Sequence, residues 1–273
     1  MNVTKLIGDG APLTTALLGI TGGIIAIFGY YKTHQKSELE REQLETQKQK
    51  DVRDHIRQLH ASYNERFDKA VAELNSNDMK SAYAAVPKLA KLADAWLDYK
   101  DLSNDTEELK KLKKKAEKEA QTIINILCKY IRTMPGEYTE EDLKDIGALD
   151  TTHQDKLKSE SEVRRLIFSE ISDRSSKVII KKGKISIKPD TWSRFYFNFS
   201  HAPIFYPLYD LTFENPNFEF ARFYTEIDFS NSCFIGKTNF ESVHFVRNMK
   251  AHINFRSAKF MGNVSFLNAQ FDR

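Results

Sequence analysis

The stretch ARFYTEIDFSNSCFIGKTNFESVHF, Ala221 to Phe245, decides the fold. Its phenylalanines are Phe223, Phe229, Phe234, Phe240 and Phe245, separated by steps of 6, 5, 6 and 5. The beat extends outward in both directions. Phe218 stands 5 before, and Phe255, Phe260, Phe266 and Phe271 follow a step of 10 in which Met249 or Lys250 takes the place of a ring. Of the 19 phenylalanines, 16 lie between Phe195 and Arg273, so the bias is local. Two positions before each ring sits a smaller or β-branched residue: Ala221, Ile227, Ser232, Thr238, Val243, Ile253, Ala258, Val264 and Ala269. A period near five fits neither a helix nor a flat strand. It fits a short extended segment followed by a turn, in which the ring and the residue two before it share one face. Four such units close a square coil of roughly 20 residues, and stacked coils bury a column of rings that no coil can bury alone. An antiparallel sandwich would not keep this beat over so many units.

Turn-tolerant residues stand between the inward positions: Ser230-Asn231, Asn248 and Gly262-Asn263. The stretch resembles the pentapeptide-repeat family, as in Ala258-Lys259-Phe260 and Ala269-Gln270-Phe271. That resemblance implies a right-handed quadrilateral β-helix. The 5/6 alternation departs from a strict five and implies one-residue bulges at some corners. Between Phe195 and Phe220 the pattern is ragged, interrupted by Pro203, Pro207 and Pro216.

At the other end, Gly10 to Tyr31 is a run of 22 residues without a charge, carrying Leu13, Leu17, Ile20, Ile24, Ile27 and Phe28. About 20 such residues cross a bilayer as a helix. A cleaved signal peptide has a shorter apolar region, and Tyr30-Tyr31-Lys32 reads as an interfacial anchor, so a retained span is the expectation. Lys32, Lys36, Arg41, Lys48 and Lys50 follow it, against Lys5 before it, which places the C-terminal side in the cytoplasm. Gly19 and Gly23 form a G-x-x-x-G pair, a weak signal for span–span packing.

Between span and repeats the chain reads as helical. Val52, Ile56, Leu59, Tyr63, Phe67, Val71 and Leu74 step by 3 and 4, after a charged stalk. Asn75–Asp78 stops and restarts the helix. A second helix contains Pro87, which predicts a kink or break. Glu107 to Arg132 is a third, with Ile123, Ile124, Leu127, Cys128 and Ile131 on one side. A short helix is expected over Glu140–Ala148, a polar loop over Thr151–Ser159 and a helix over Glu160–Asp173. Val178-Ile179-Ile180 and Ile185-Ser186-Ile187 flank Lys181–Lys184 as a hairpin, expected to cap the open start of the β-helix. The segments from Glu65 to Asn77, Leu89 to Ala93, Gln121 to Arg132 and Val163 to Phe168, with Trp192 and Phe197-Asn198-Phe199, resemble the helical region of membrane-anchored actinobacterial pentapeptide-repeat proteins. Pro87-Lys88 departs from that pattern. The resemblance implies a bacterial inner-membrane setting and brings no catalytic residues.

The expected fold is therefore α+β, in five segments: 1–31 the transmembrane helix, 32–75 a stalk and long amphipathic helix, 76–175 an α-helical middle domain, 176–194 a hairpin or cap, and 195–273 the right-handed quadrilateral β-helix. The two cysteines, Cys128 and Cys233, make no disulfide framework, and the seven histidines show no ligand spacing. Nucleotide-binding, nucleophile-elbow and zincin motifs are absent from the sequence. No enzyme, cofactor or metal is expected. The expectation is a scaffold or protein-interaction module with an unknown protein partner, itself included, and a lipid bilayer. A topoisomerase-protecting DNA mimic is the alternative from another class. It needs an acidic rod, whereas residues 195–273 hold seven carboxylates and seven Lys or Arg. Nucleic acid is not expected as a partner.

Overall fold

A computed structural model describes residues 38, 40–44, 46–47, 62–98, 107–181, 184–224, 227–246 and 253–272. The chain divides into two compact units, Met1–Asn64 and Glu65–Arg273. The described residues of the first unit are helical. The expected span from Gly10 to Tyr31, with its Leu13, Leu17, Ile20, Ile24, Ile27 and Phe28, lies outside the described residues, as does Val52–Leu59. Among the described residues, no helix is long and apolar enough to cross a membrane.

The second unit joins a helical layer to a β-solenoid. After α1 (62–74) come α2 (Met79–Asp98), α3 (Glu107–Arg132), α4 (Glu140–Lys144), a 3-10 turn (Ile146–Ala148) and α5 (Thr151–Arg174). The buried face of α2 is lined by Val86 and Leu89 and by Ala82, Ala85, Ala90 and Ala93, small residues that let α3 and α5 approach closely. Helix α2 runs unbroken through Pro87. The lost backbone bond is outweighed by burial of this face on both neighbours. The capping box of Thr139 with Asp142 starts α4.

Two expectations need correction here. The segment Thr151–Ser159 is not a loop but the first turns of α5, started by the Asp150 side chain accepting from the His153 N–H and held by buried Leu157. Its helical pattern is faint because Leu157 is its one apolar residue, and the rest of the segment is polar. The hairpin, β1 (Lys177–Lys181) with β2 (Lys184–Lys188), forms as expected, but among the described residues it is a sheet of its own and adds no strand to the first coil. Its strands pair with each other, and Ile185 and Ile187 face solvent.

The solenoid comprises four parallel sheets, one per side, making about three turns. One side is β3 (Phe197–Asn198), β6 (Pro216–Asn217), β10 (Thr238–Asn239) and β14 (Val264–Ser265); the next is β4 (Pro203–Ile204), β7 (Arg222–Phe223), β11 (His244–Phe245) and β15 (Gln270–Phe271). The third is β8 (Ile227–Asp228) with β12 (Ile253–Asn254); the fourth is β5 (Thr212–Glu214), β9 (Cys233–Ile235) and β13 (Lys259–Met261). Register advances by 19 residues from Phe197 to Pro216, by 22 from Asn217 to Asn239 and by 26 from Thr238 to Val264. The ragged stretch is thus the first coil. The longest advance contains the step without a ring, and residues 247–252 there lie outside the described residues.

Rings stack directly along the coils. Phe199, Phe218, Phe240 and Phe266 form one column with centroids 5.1, 5.2 and 4.9 Å apart, close to the spacing of paired strands. Phe223, Phe245 and Phe271 form a second, Phe229 and Phe255 a third, and Phe213, Phe234 and Phe260 a fourth. Columns meet edge to face, as Phe229 does Phe240 at 68°, the geometry that aromatic quadrupoles prefer. Corners are turns in which the ring residue's C=O accepts from the N–H three residues on, as Phe218 does from Ala221. The residue two after the ring has positive φ: His201, Phe220, Ser242 and Asn268 at one corner, Asn231 and Ser257 at another, where Asp210 follows Leu208 in the first coil in the same conformation. The residue before the ring braces each corner: Asn198, Asn217, Asp228, Asn239 and Asn254 accept from the backbone N–H two positions on. Asn239 donates to Asn217, and Asn254 to Asp228, so these braces also link the coils.

Candidate binding surfaces

The solenoid's two ends differ. The first coil is closed by α3 and α5. Phe168 of α5 continues the first column, 4.7 Å from Phe199. Around it, the Ser172 Oγ accepts from the Thr212 N–H, and the buried Glu214 carboxylate accepts from both N–H and Oγ of Ser176. The Gln121 amide of α3 exchanges two hydrogen bonds with the Tyr196 backbone, acting as a one-residue strand. The Asp94 carboxylate accepts from Trp192 Nε1 and Arg174 Nε, tying α2 to both.

The last coil has no such cover among the described residues. Phe218, Phe223, Phe229, Phe234, Phe240 and Phe245 are buried, whereas Phe260 is 40%, Phe266 38% and Phe271 52% exposed, and Phe255 is half-buried. All ten expected rings therefore stack, but those of the last coil present their outer faces to solvent. Ile253 and Leu267 extend this apolar end.

A second feature is a groove of about 620 Å³ along the side of β4, β7, β11 and β15, where α3 ends. Arg132, Met134 and Glu140 form its helical wall; Arg222, Tyr224 and His244 project from the strands; His201 and Phe220 come from the adjoining corner. Arg222 pairs with Glu140, and His244 with Asp272. Burial pushes the Tyr224 hydroxyl up. No expected site residue lines this groove, because its members come from separate coils and a helix end.

A third cluster is structural. Arg164 is buried, donates through Nε to Glu160 and caps α3 by donating to the Ile131 and Thr133 carbonyls. The Tyr130 hydroxyl donates to the same Glu160, and burial, followed by that carboxylate's charge, raises it. Cys128 is buried against the first coil and its thiol is pushed up to about 12 by burial, which removes it from thiolate chemistry. Among the described residues, no group of three His, Cys, Asp or Glu is placed to hold a metal ion. Comparison with protein-family models finds no match, and comparisons with curated proteins and with solved structures find none either.

Proposed function

We propose that the chain is a non-enzymatic scaffold of the pentapeptide-repeat kind, anchored in a bacterial inner membrane and presenting its solenoid to a protein partner in the cytoplasm. One observation carries the interaction half of this reading: the asymmetry of the stack. A column closed at its start by Phe168 ends in the open faces of Phe260, Phe266 and Phe271, with Leu267 beside them. Open strand edges over an apolar face are a template for another chain. The uncharged run Gly10–Tyr31 and the cations that follow it support the anchoring half.

Self-assembly is the second reading, and the same asymmetry constrains it. Head-to-tail stacking is blocked because α5 occupies the first coil, so two copies meet open end to open end about a two-fold axis. The DNA-mimic reading gains no support from a rod whose charges balance.

Two tests separate the halves. Removal of Met1–Tyr31 shifts the chain from the membrane fraction to the soluble one; unchanged fractionation refutes the anchor. Leu267→Glu combined with Phe271→Glu in the full chain abolishes a defined crosslinked species formed at native expression. Its persistence moves recognition away from the last coil. A crosslinked species of twice the chain mass selects the two-fold reading.

A further inference from the structure

The hairpin β1–β2 stands on a fixed base. Trp192 is fully buried and donates its backbone N–H to the Arg174 carbonyl, which joins the chain just after β2 to the chain just before β1. Arg174 Nε and Trp192 Nε1 both donate to Asp94, and Lys177 pairs with Asp190 at 3.0 Å across the foot of the ribbon. Beyond that foot the two strands form a sheet of their own. A lone two-stranded hairpin is marginal in water and gains stability when its apolar side is covered.

The register sorts the hairpin by side. Val178 is paired with Ile187 and Ile180 with Ile185, so positions 178, 180, 185 and 187 share one side of the ribbon, and all four are apolar. The other side takes the pairs Lys177 with Lys188, Ile179 with Ser186 and Lys181 with Lys184. Ile185 is 54% and Ile187 42% exposed, so the body of the protein leaves the apolar side open among the described residues. Adjacent apolar residues left open on a surface mark a contact with a partner or a membrane.

Charge selects between those covers. From Lys177 to Lys188 the sequence holds five lysines and no carboxylate. Lysines at the ends of both strands repel a second copy and blunt edge-to-edge pairing. An acidic protein or a nucleic acid would use the lysines and leave Ile185 and Ile187 wet. An anionic bilayer surface uses both sides. Its acyl boundary takes the apolar side, and the lysines of so thin a ribbon stay within a Debye length of the headgroups. We propose that the hairpin is a membrane-docking element, seated by its Val and Ile side in the interface of an anionic bilayer. This contact goes beyond the scaffold reading, since it needs neither the span at Gly10–Tyr31 nor the open end of the solenoid.

The test places an indole on the ribbon of the full chain. Ile187→Trp is mixed with vesicles of phosphatidylcholine and phosphatidylglycerol in equal parts, or of phosphatidylcholine alone, with brominated acyl chains as the quencher. The signal of the parent, whose Trp96 and Trp192 are buried, is subtracted. The added indole shifts to the blue and is quenched on the anionic vesicles, and far less on the neutral ones. Ile185→Trp repeats this result from the second exposed position, whereas Ser186→Trp, on the lysine side, is quenched less than either. Lys181→Gln with Lys188→Gln lowers the ratio of lipid-exposed to water-exposed indole about fivefold for each lysine removed. An anchor inserted without the hairpin leaves these indoles in water, so failure here is distinct from failure of the span. The proposal is overturned if the indoles at 185 and 187 stay in water on both vesicles, or if neutral vesicles quench them equally. It is also overturned if polyglutamate in place of vesicles shifts them as far as the anionic vesicles do.

Discussion

Phe168 and Phe266 stand at opposite ends of one aromatic column, and their surroundings are opposite too. Phe168 is 1% exposed and comes from a helix; it closes the first coil by taking the place a previous coil would fill. Phe266 is 38% exposed and stacks 4.9 Å from Phe240 with its other face open. The closed end is also wired by backbone bonds to Ser172, Gln121 and Glu214, whereas the backbone bonds of the last coil described here run to the coil beneath it. A solenoid coil is stabilised by neighbours on both sides. The first coil has its second neighbour in α5, whereas the last coil has none among the described residues.

The largest test of that contrast is deletion of rings along the column. Phe168→Ala and Phe240→Ala should each destabilise by about 3–5 kcal/mol, as large cavities in closed surroundings do. Phe266→Ala should lose about 1–2 kcal/mol, since part of its face is already wet. Urea denaturation of the three variants measures the gap, and equal losses would erase the distinction. Next is Glu214→Ala, which leaves the buried Ser176 N–H and Oγ unpaired; about 1–3 kcal/mol is expected by the same method.

Cys128 tests the closed side by pH. Its thiol, ordinarily near 9.0, is held protonated up to about 12 in the folded chain. The unfolded chain ionises first, so stability is full below pH 9 and falls above it by about 1.4 kcal/mol per pH unit. In the native state the thiol should resist alkylation at pH 8, and rapid labelling would show that the first coil opens. The smallest effect belongs to Leu267→Glu. At 63% exposure it should change stability by no more than about 0.5 kcal/mol, although it alters the candidate docking surface.

The solenoid was legible in the sequence because its signal is local: a ring every 5 or 6 residues and a small residue two before it. The Asn and Asp braces were equally local, at Asn217, Asp228, Asn239 and Asn254, each immediately before a ring. They went unread because a polar residue between core positions also fits a solvent-facing site. The cap was illegible for a different reason. Phe168 looks like an ordinary helix-core residue, and its stacking on Phe199 is a contact across 31 positions that no periodicity encodes. The apolar hairpin next to the repeats offered a plausible cap by proximity alone. The first turns of α5 are not legible because Thr151–Ser159 carries a single apolar residue, Leu157, too few to show a helical stripe. The side groove is not legible in the sequence because its walls come from separate coils and a helix end.

The most direct measurement is amide hydrogen exchange across the coils of the purified chain, which reports local opening. Slow exchange is expected at Phe218, Arg222 and Phe229, inside the closed part of the stack, with protection falling toward Lys259, Gln270 and Asp272 in the last coil. Equal protection from Phe218 to Asp272 would contradict an open end and remove the basis for a docking surface there.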